Sequence, residues 1–217
     1  MGRRMTSKDR REQILQGAMR LFAEKGFRGT TTREIAQKLR ISEALMFKHF
    51  PSKEALYRAI IQQRMNGAKD MLFPKEALKA KDDRQVFSAM ASYLIRRNTE
   101  DPTFLRLVLY SALEEYDLSK IFFKNNATKN TKILANYIQQ RIHEKAFKRV
   151  HPLLAARAFI GMVLHYIQSQ EIYGMGNLFN FPQKKVVETF VDSFLNGIQN
   201  QQEKNESKRR KSTQSKE

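Results

Sequence analysis

Two helix-start signals set close together constrain this chain more than any other feature. Thr31 is followed three residues on by Glu34. That is the spacing of a capping box, in which the threonine oxygen accepts from the Glu34 N–H and the glutamate reaches back to the N–H of Thr31. The box opens a helix with Ile35, Ala36 and Leu39 on one face, ending near Arg40. Ser42 is the next N-cap and opens a helix from Glu43 to about His49; Pro51-Ser52 then stops the chain before a third helix. Helices under about 12 residues are marginal in water and must pack on one another. A short helix, a tight turn and a second short helix make a helix-turn-helix.

The second helix has two unlike faces. Met46 and Phe50, with Ile41 just before the helix, form the inward side. Ala44, Leu45 and Lys48 lie opposite, flanked by Phe47 and His49. A small, apolar, singly basic face suits insertion into a DNA groove: apolar side chains touch thymine methyls, and a lysine reaches guanine acceptors or a phosphate.

Charge supports this reading. The net charge is +18 and the pI about 10.2. Residues 1–64 carry 15 Lys/Arg against 6 Asp/Glu, a net +9, half the total in under a third of the chain. A charge so placed points to nucleic acid as the polyanion.

With these residues in view, Ile14–Ala59 resembles the DNA-binding domain of the TetR family of bacterial transcriptional repressors. The resemblance rests on LFAEKGF (Leu21–Phe27), TTTREIA (Thr30–Ala36), Ile41-Ser42 and HFPSKEAL (His49–Leu56). Arg40 stands where the family usually has glycine in the turn. Leu45-Met46-Phe47 stand where it usually has Thr-Leu-Tyr, so two hydroxyls are missing. The resemblance implies an all-α protein: an N-terminal three-helix helix-turn-helix DNA-binding domain plus a C-terminal helical regulatory and dimerisation domain. The expected DNA-binding residues are Thr31, Thr32, Arg33, Ser42, Glu43, Ala44, Leu45, Phe47, Lys48, His49 and Lys53, the last at a helix start where a phosphate would sit.

The domains are expected at 1–52, with a basic N-terminal arm, and 53–200, with a disordered basic tail over 201–217. Residues 1–9 read as a mobile arm, with Arg3, Arg4, Lys8, Arg10 and Arg11 able to reach DNA. Helical periodicity predicts helices over Lys8–Lys25, Lys53–Met71, Val86–Arg97, Pro102 to near Tyr116, and Ser119–Lys145. Leu153–Tyr173 is apolar nearly all round, so it must be covered on more than one side. Leu154, Ala158 and Gly161 form a close-packing stripe there. Val187, Phe190, Val191, Phe194 and Ile198 form another along Gln183–Gln199. Two such helices per subunit make a four-helix bundle across a two-fold axis. The family resemblance also implies this homodimer.

Other chemistry is not signalled. There is no cysteine, and no apolar run reaches the 18 or more residues of a membrane span, so the expected location is the cytoplasm. His49, His143, His151 and His165 lie outside metal-ligand motifs, and no Gly-rich phosphate loop or GxSxG motif appears. Neither catalysis, a metal nor a cofactor is expected. Two readings stand. One is a homodimeric repressor on a palindromic operator in double-stranded DNA, released by a small apolar or amphipathic ligand held by Tyr93, Phe104, Val108, Ser111, His165 and Tyr166. The other is a DNA-binding regulator without a small-molecule ligand, controlled by a protein partner. The recognition motif argues against a purely architectural DNA-binding protein.

Overall fold

The structure is a computed structural model and describes residues 5–66, 74–114, 128–178 and 180–199. In chain order the helices are α1 Ser7–Lys25, α2 Thr32–Leu39, α3 Glu43–His49, α4 Lys53–Asn66, α5 Lys75–Ala80, α6 Asp83–Glu100, α7 Thr103–Leu113, α8 Thr128–His143, α9 Pro152–Glu171 and α10 Gln183–Ile198. A 3-10 turn, Met175–Asn177, lies between the last two. Among the described residues the only strand-like pairing is an isolated antiparallel bridge between Phe147 and Gln199. The fold is all-α.

The chain forms two compact units. The first holds α1 to α4, the last turn of α6 from Arg97, and α7. Its core gathers Ile14, Phe22, Ile35, Met46, Leu56, Tyr57, Ile60 and Leu107. Phe22, Phe27 and Tyr57 form an aromatic triangle with ring centroids 5.0 to 5.6 Å apart. The eight residues of α2 and seven of α3 are too few to hold a helix alone. Burying Ile35 and Met46, at roughly 1.5–3 kcal/mol each, offsets that. Gly17 lets α2 come close to α1: a Cβ there would lie 2.4 Å from Leu39 Cδ2.

This unit departs from the expected boundary at residue 52. Leu56, Tyr57, Ile60 and Ile61 of α4, and Phe104, Leu107 and Val108 of α7, are buried in the helix-turn-helix core. Helix α1 starts within a residue of its expected beginning at Lys8. Thr6 and Asp9 form a capping box there, so residues 7–9 of the expected arm are helical, as are Arg10 and Arg11. Arg10 bonds Gln13 at 2.7 Å, and the Arg11 guanidinium lies 4.6 Å from the centroid of the Phe50 ring. Arg3, Arg4 and the tail expected over 201–217 lie outside the described residues.

The second unit holds α5, α6 up to Arg96, α8, α9 and α10. Phe87 is its hub, ringed by Tyr137, Phe147, Phe159 and Phe194. The Arg141 guanidinium grips the Asp83 carboxylate through Nε at 2.8 Å and Nη2 at 3.0 Å, and the Tyr137 hydroxyl donates to the same carboxylate at 2.6 Å. Helix α5, Lys75–Ala80, falls between the helices expected over Lys53–Met71 and Val86–Arg97, where none was expected; only its Ala77 is buried. Of the helix expected over Ser119–Lys145, the part from Thr128 is described, and it ends at His143.

Three helices end in the same way. Arg40, Lys81 and Lys145 take φ of 54°, 57° and 61°. Each N–H turns back to the carbonyl three residues before it, and the next N–H returns five residues: Arg40 to Gln37 with Ile41 to Ala36, Lys81 to Leu78 with Asp82 to Ala77, and Lys145 to Ile142 with Ala146 to Arg141. This is the Schellman arrangement, whose left-handed position favours glycine. Here a long basic side chain occupies it each time.

Candidate nucleic-acid interface and effector cleft

The helix-turn-helix is assembled by its caps. The Glu34 N–H donates to Thr31 Oγ1 at 3.1 Å and the Thr31 N–H to the Glu34 carboxylate at 3.0 Å. Lys25 Nζ reaches Glu34 Oε1 at 2.7 Å. The lysine, followed by the Thr31 N–H, holds the Glu34 carboxyl down at about 2. Ser42 Oγ accepts from the Leu45 N–H at 3.1 Å and starts α3. The Thr32 hydroxyl donates to Glu43 Oε2 at 2.8 Å, tying the first turn of α2 to the first turn of α3.

With Met46 and Phe50 buried and Ile41 packed against them, α3 turns Ala44, Phe47 and Lys48 outward. Leu45 and His49 are half-buried at its edges. Phe47 is 41% exposed, a large aromatic left in water on a short helix. Lys48 has no protein partner among the described residues. Arg33 is exposed on α2.

Lys53 departs from the expectation of a free phosphate contact. Its ammonium turns inward and donates to the carbonyls of Phe27 at 3.0 Å and Thr30 at 2.9 Å, lying 4.2 Å from the centroid of the Phe27 ring. The Phe27 carbonyl also receives the Thr30 N–H at 3.4 Å, and the ammonium adds a charged donor to both carbonyls between α1 and α2. Sequence reasoning missed the counterpart, Glu114. Its carboxylate accepts the N–H of Phe27 at 3.0 Å and of Arg28 at 3.2 Å. Gly26, at φ 75°, makes room for it: a Cβ there would meet Glu114 Oε1 at 2.3 Å. No local signal announces a contact between residues 87 positions apart.

The six residues expected to hold a ligand fall in different places. Phe104 and Val108 belong to the core of the first unit, beside the helix-turn-helix, and Ser111 is buried on the same helix. Tyr93 is half-buried on α6. His165 and Tyr166 do line a cleft, of about 560 Å³, in the second unit. Its walls are Met162, Tyr166 and Gln170 of α9, Val186 and Phe190 of α10, and Met175 and Phe181 between them; Lys185 stands at the side.

The expected dimer residues also divide. Leu154, Ala158 and Gly161 are exposed along α9, and among the described residues nothing lies within 4 Å of where a Cβ on Gly161 would stand. In contrast, Val187, Val191 and Ile198 are buried in the core of their own unit. Phe194 packs on Phe87 and Phe159 at 5.0 and 5.1 Å, and Phe190 meets Tyr166 edge-on at 5.8 Å. Within the single chain these residues form the packing face of α10, with Phe190 and Phe194 half-buried. Among the described residues no helix is long and apolar enough to cross a membrane.

A capped helix-turn-helix with an unpartnered outer face, in an all-α chain, defines a regulator that reads duplex DNA. Comparison gives the family. Residues 14–60 match the model of bacterial regulatory proteins, tetR family, and residues 84–197 match that of the AefR-like transcriptional repressor C-terminal domain. The second match alone spans more than half the chain, and the chain belongs to the TetR family. It is a DNA-binding transcriptional regulator, not an enzyme. It is 25% identical over 193 residues to the uncharacterised HTH-type transcriptional regulator YvkB of Bacillus subtilis strain 168, covering 86% of this chain and 96% of that one. Its fold is similar to AibR in complex with isovaleryl coenzyme A and operator DNA (TM-score 0.66, 20% identity, 85% of this chain and 97% of that one). A putative transcriptional regulator from Pseudomonas aeruginosa PAO1 is similar too (TM-score 0.70, 17% identity, 89% and 92% covered).

Proposed function

We propose that this regulator is a cytoplasmic homodimeric repressor that holds a palindromic operator and is released by a small apolar or amphipathic ligand. The observation that carries the ligand is the apolar cleft of about 560 Å³ in the second unit, within the usual size range of small-molecule sites, roughly 300–1,000 Å³. The exposed stripe Leu154, Ala158 and Gly161 supports the dimer. Ala44, Phe47 and Lys48 meet base edges, with Leu45 and His49 beside them. Arg33 meets phosphate. Thr31, Thr32, Ser42 and Glu43 hold the two short helices in register, and Lys53 braces the loop before them.

The ligand acts by favouring, through its differential affinity, the state that does not fit the operator. The test begins with an operator fragment selected from genomic DNA on the purified protein. Sedimentation of wild type and Ala158→Arg then reads assembly. Because Ala158 is exposed in the single chain, the variant is expected to fold normally and to run as a monomer. A wild-type monomer at micromolar concentration, bound to its operator, refutes the dimer. A broad small-molecule screen in which nothing lowers operator affinity refutes the ligand.

A further inference from the structure

The cleft has a charge signature that narrows its occupant. Of the residues that line it, Lys185 is the only one with a formal charge; no aspartate or glutamate is among them. Its neighbour Lys184 approaches Glu188 at 4.0 Å, whereas the Lys185 ammonium lies 5.6 Å from the centroid of the Phe181 ring and, among the described residues, has no carboxylate partner. Of the three hydroxyls in the lining, two are already committed as donors, Ser169 to the carbonyl of His165 at 2.9 Å and Thr189 to the carbonyl of Lys185 itself at 2.8 Å, which leaves the neutral Tyr166 hydroxyl. The strongest unspent donor is therefore a cation, set beside a wall of Met162, Tyr166, Val186 and Phe190.

We propose that this cleft takes a single-chain amphiphile with one anionic headgroup, the head on Lys185 and the apolar tail along the Met162–Phe190 wall. The proposal rests on the ligand-responsive reading above and gives its ligand class. The Lys185 side chain is exposed at the side of the cleft, so its bond to a carboxylate is charge-assisted but shared with water, a modest gain added to the burial of the tail. The same tail carrying a hydroxyl keeps the apolar burial and loses that bond. A cationic head has the rings of Tyr166 and Phe190 to offer cation–π contact, but it meets the charge of Lys185 and finds no carboxylate among the lining residues, although the charge of Glu171 reaches Tyr166.

The experiment uses the full-length protein and three probes with the same tail, decanoate, decanol and decyltrimethylammonium, each below its micelle concentration. Calorimetry reads binding and fluorescence anisotropy reads operator release. Decanoate is expected to bind best, with decanol about tenfold weaker and the cation weaker still. Lys185→Gln should bring decanoate down to the affinity of decanol and leave decanol unchanged, whereas Lys185→Arg should keep the preference. Thermal melts confirm that the variants fold. Equal affinity for decanoate and decanol in wild type, or no effect of Lys185→Gln, overturns the proposal. If the screen finds an effector outside this class that releases the operator, the proposal falls and the repressor reading stands. Decanoate binding that vanishes as the protein dimerises assigns the cleft to the second subunit and also overturns it.

Discussion

Glu114 accepts the peptide N–H of Phe27 at 3.0 Å while Lys53 donates to the carbonyl of the same residue, also at 3.0 Å. One residue of the loop before the helix-turn-helix is thus held from both sides by opposite charges. A hydrogen bond involving a charged group contributes roughly 1.5–3 kcal/mol. Lys53→Ala and Glu114→Ala are each expected to lower stability by about 1–3 kcal/mol in urea denaturation, with the double variant departing from the sum because both act on one peptide. Lys53→Ala should weaken operator binding while the salt slope keeps its wild-type value. Unchanged stability with a slope lower by about one would instead give Lys53 to a phosphate.

Arg40 occupies a left-handed position, φ 54° and ψ 47°, at the turn between α2 and α3. An L-residue there costs roughly 1–2 kcal/mol, and glycine avoids that at an entropic cost of roughly 0.5–1 kcal/mol. Arg40→Gly is expected to raise stability by about 0.5–1 kcal/mol, seen as a higher denaturant midpoint at unchanged m-value. A lower midpoint would show that the arginine side chain outweighs the strain of its backbone.

Ser111 is 1% exposed, and among the described residues its hydroxyl has no hydrogen-bond partner. A helical serine ordinarily turns to the carbonyl four residues back. Here that carbonyl, of Leu107, already receives the Tyr57 hydroxyl at 3.1 Å. Ser111→Ala removes an unmet polar group at little change in volume, so thermal unfolding should show a gain of about 1 kcal/mol. A loss would mean that the hydroxyl has a partner in solution, such as a buried water.

The helix-turn-helix was legible because its signals are local. Thr31-Glu34 and Ser42 cap short helices, and the spacing of Ile41, Met46 and Phe50 gives the inward face of α3. The second unit was less legible because α10 is apolar on more than one side. Its buried line is Val186, Val187, Val191, Leu195 and Ile198, and periodicity alone does not say which apolar stripe faces its own subunit. Phe104 and Val108 likewise read as inward, but the pattern does not say into which of two cores. Helix α5 has six residues and a single buried alanine, too little to stand out from a charged loop. Glu114 and Lys53 each reach Phe27 across the chain, where spacing carries no information.

Acid should undo particular ion pairs. Lys81 first, then Gln140 and Arg141, hold the Glu144 carboxyl at about 2 against an ordinary 4.5, and Lys25 does the same for Glu34. A depressed folded-state value contributes stability that is fully present above the unfolded value and lost as pH falls through the folded one. Stability should therefore decline from about pH 4.5 toward pH 2. The Glu34→Gln, Glu144→Gln double variant should be less stable at pH 7 and show a shallower decline. Parallel curves for variant and wild type would place the acid sensitivity elsewhere.

Lys48 tests the reading face itself. It stands outward on α3 with Ala44 and Phe47, with no protein partner among the described residues. Removing it should therefore leave the fold alone, and Lys48→Ala should match wild type in thermal melts. If the ammonium meets a base edge, the variant loses about 1–3 kcal/mol on the operator and relaxes preference at one position in each half-site. If it meets only phosphate, affinity falls alike on operator and random duplex, and the salt slope drops by about one unit per lost contact. Arg33, exposed on α2, is expected to follow the phosphate pattern, and so serves as the internal comparison. Titrations of both variants on specific and random duplexes at several salt concentrations separate the two. Wild-type affinity and slope in both variants would remove this surface from the DNA interface.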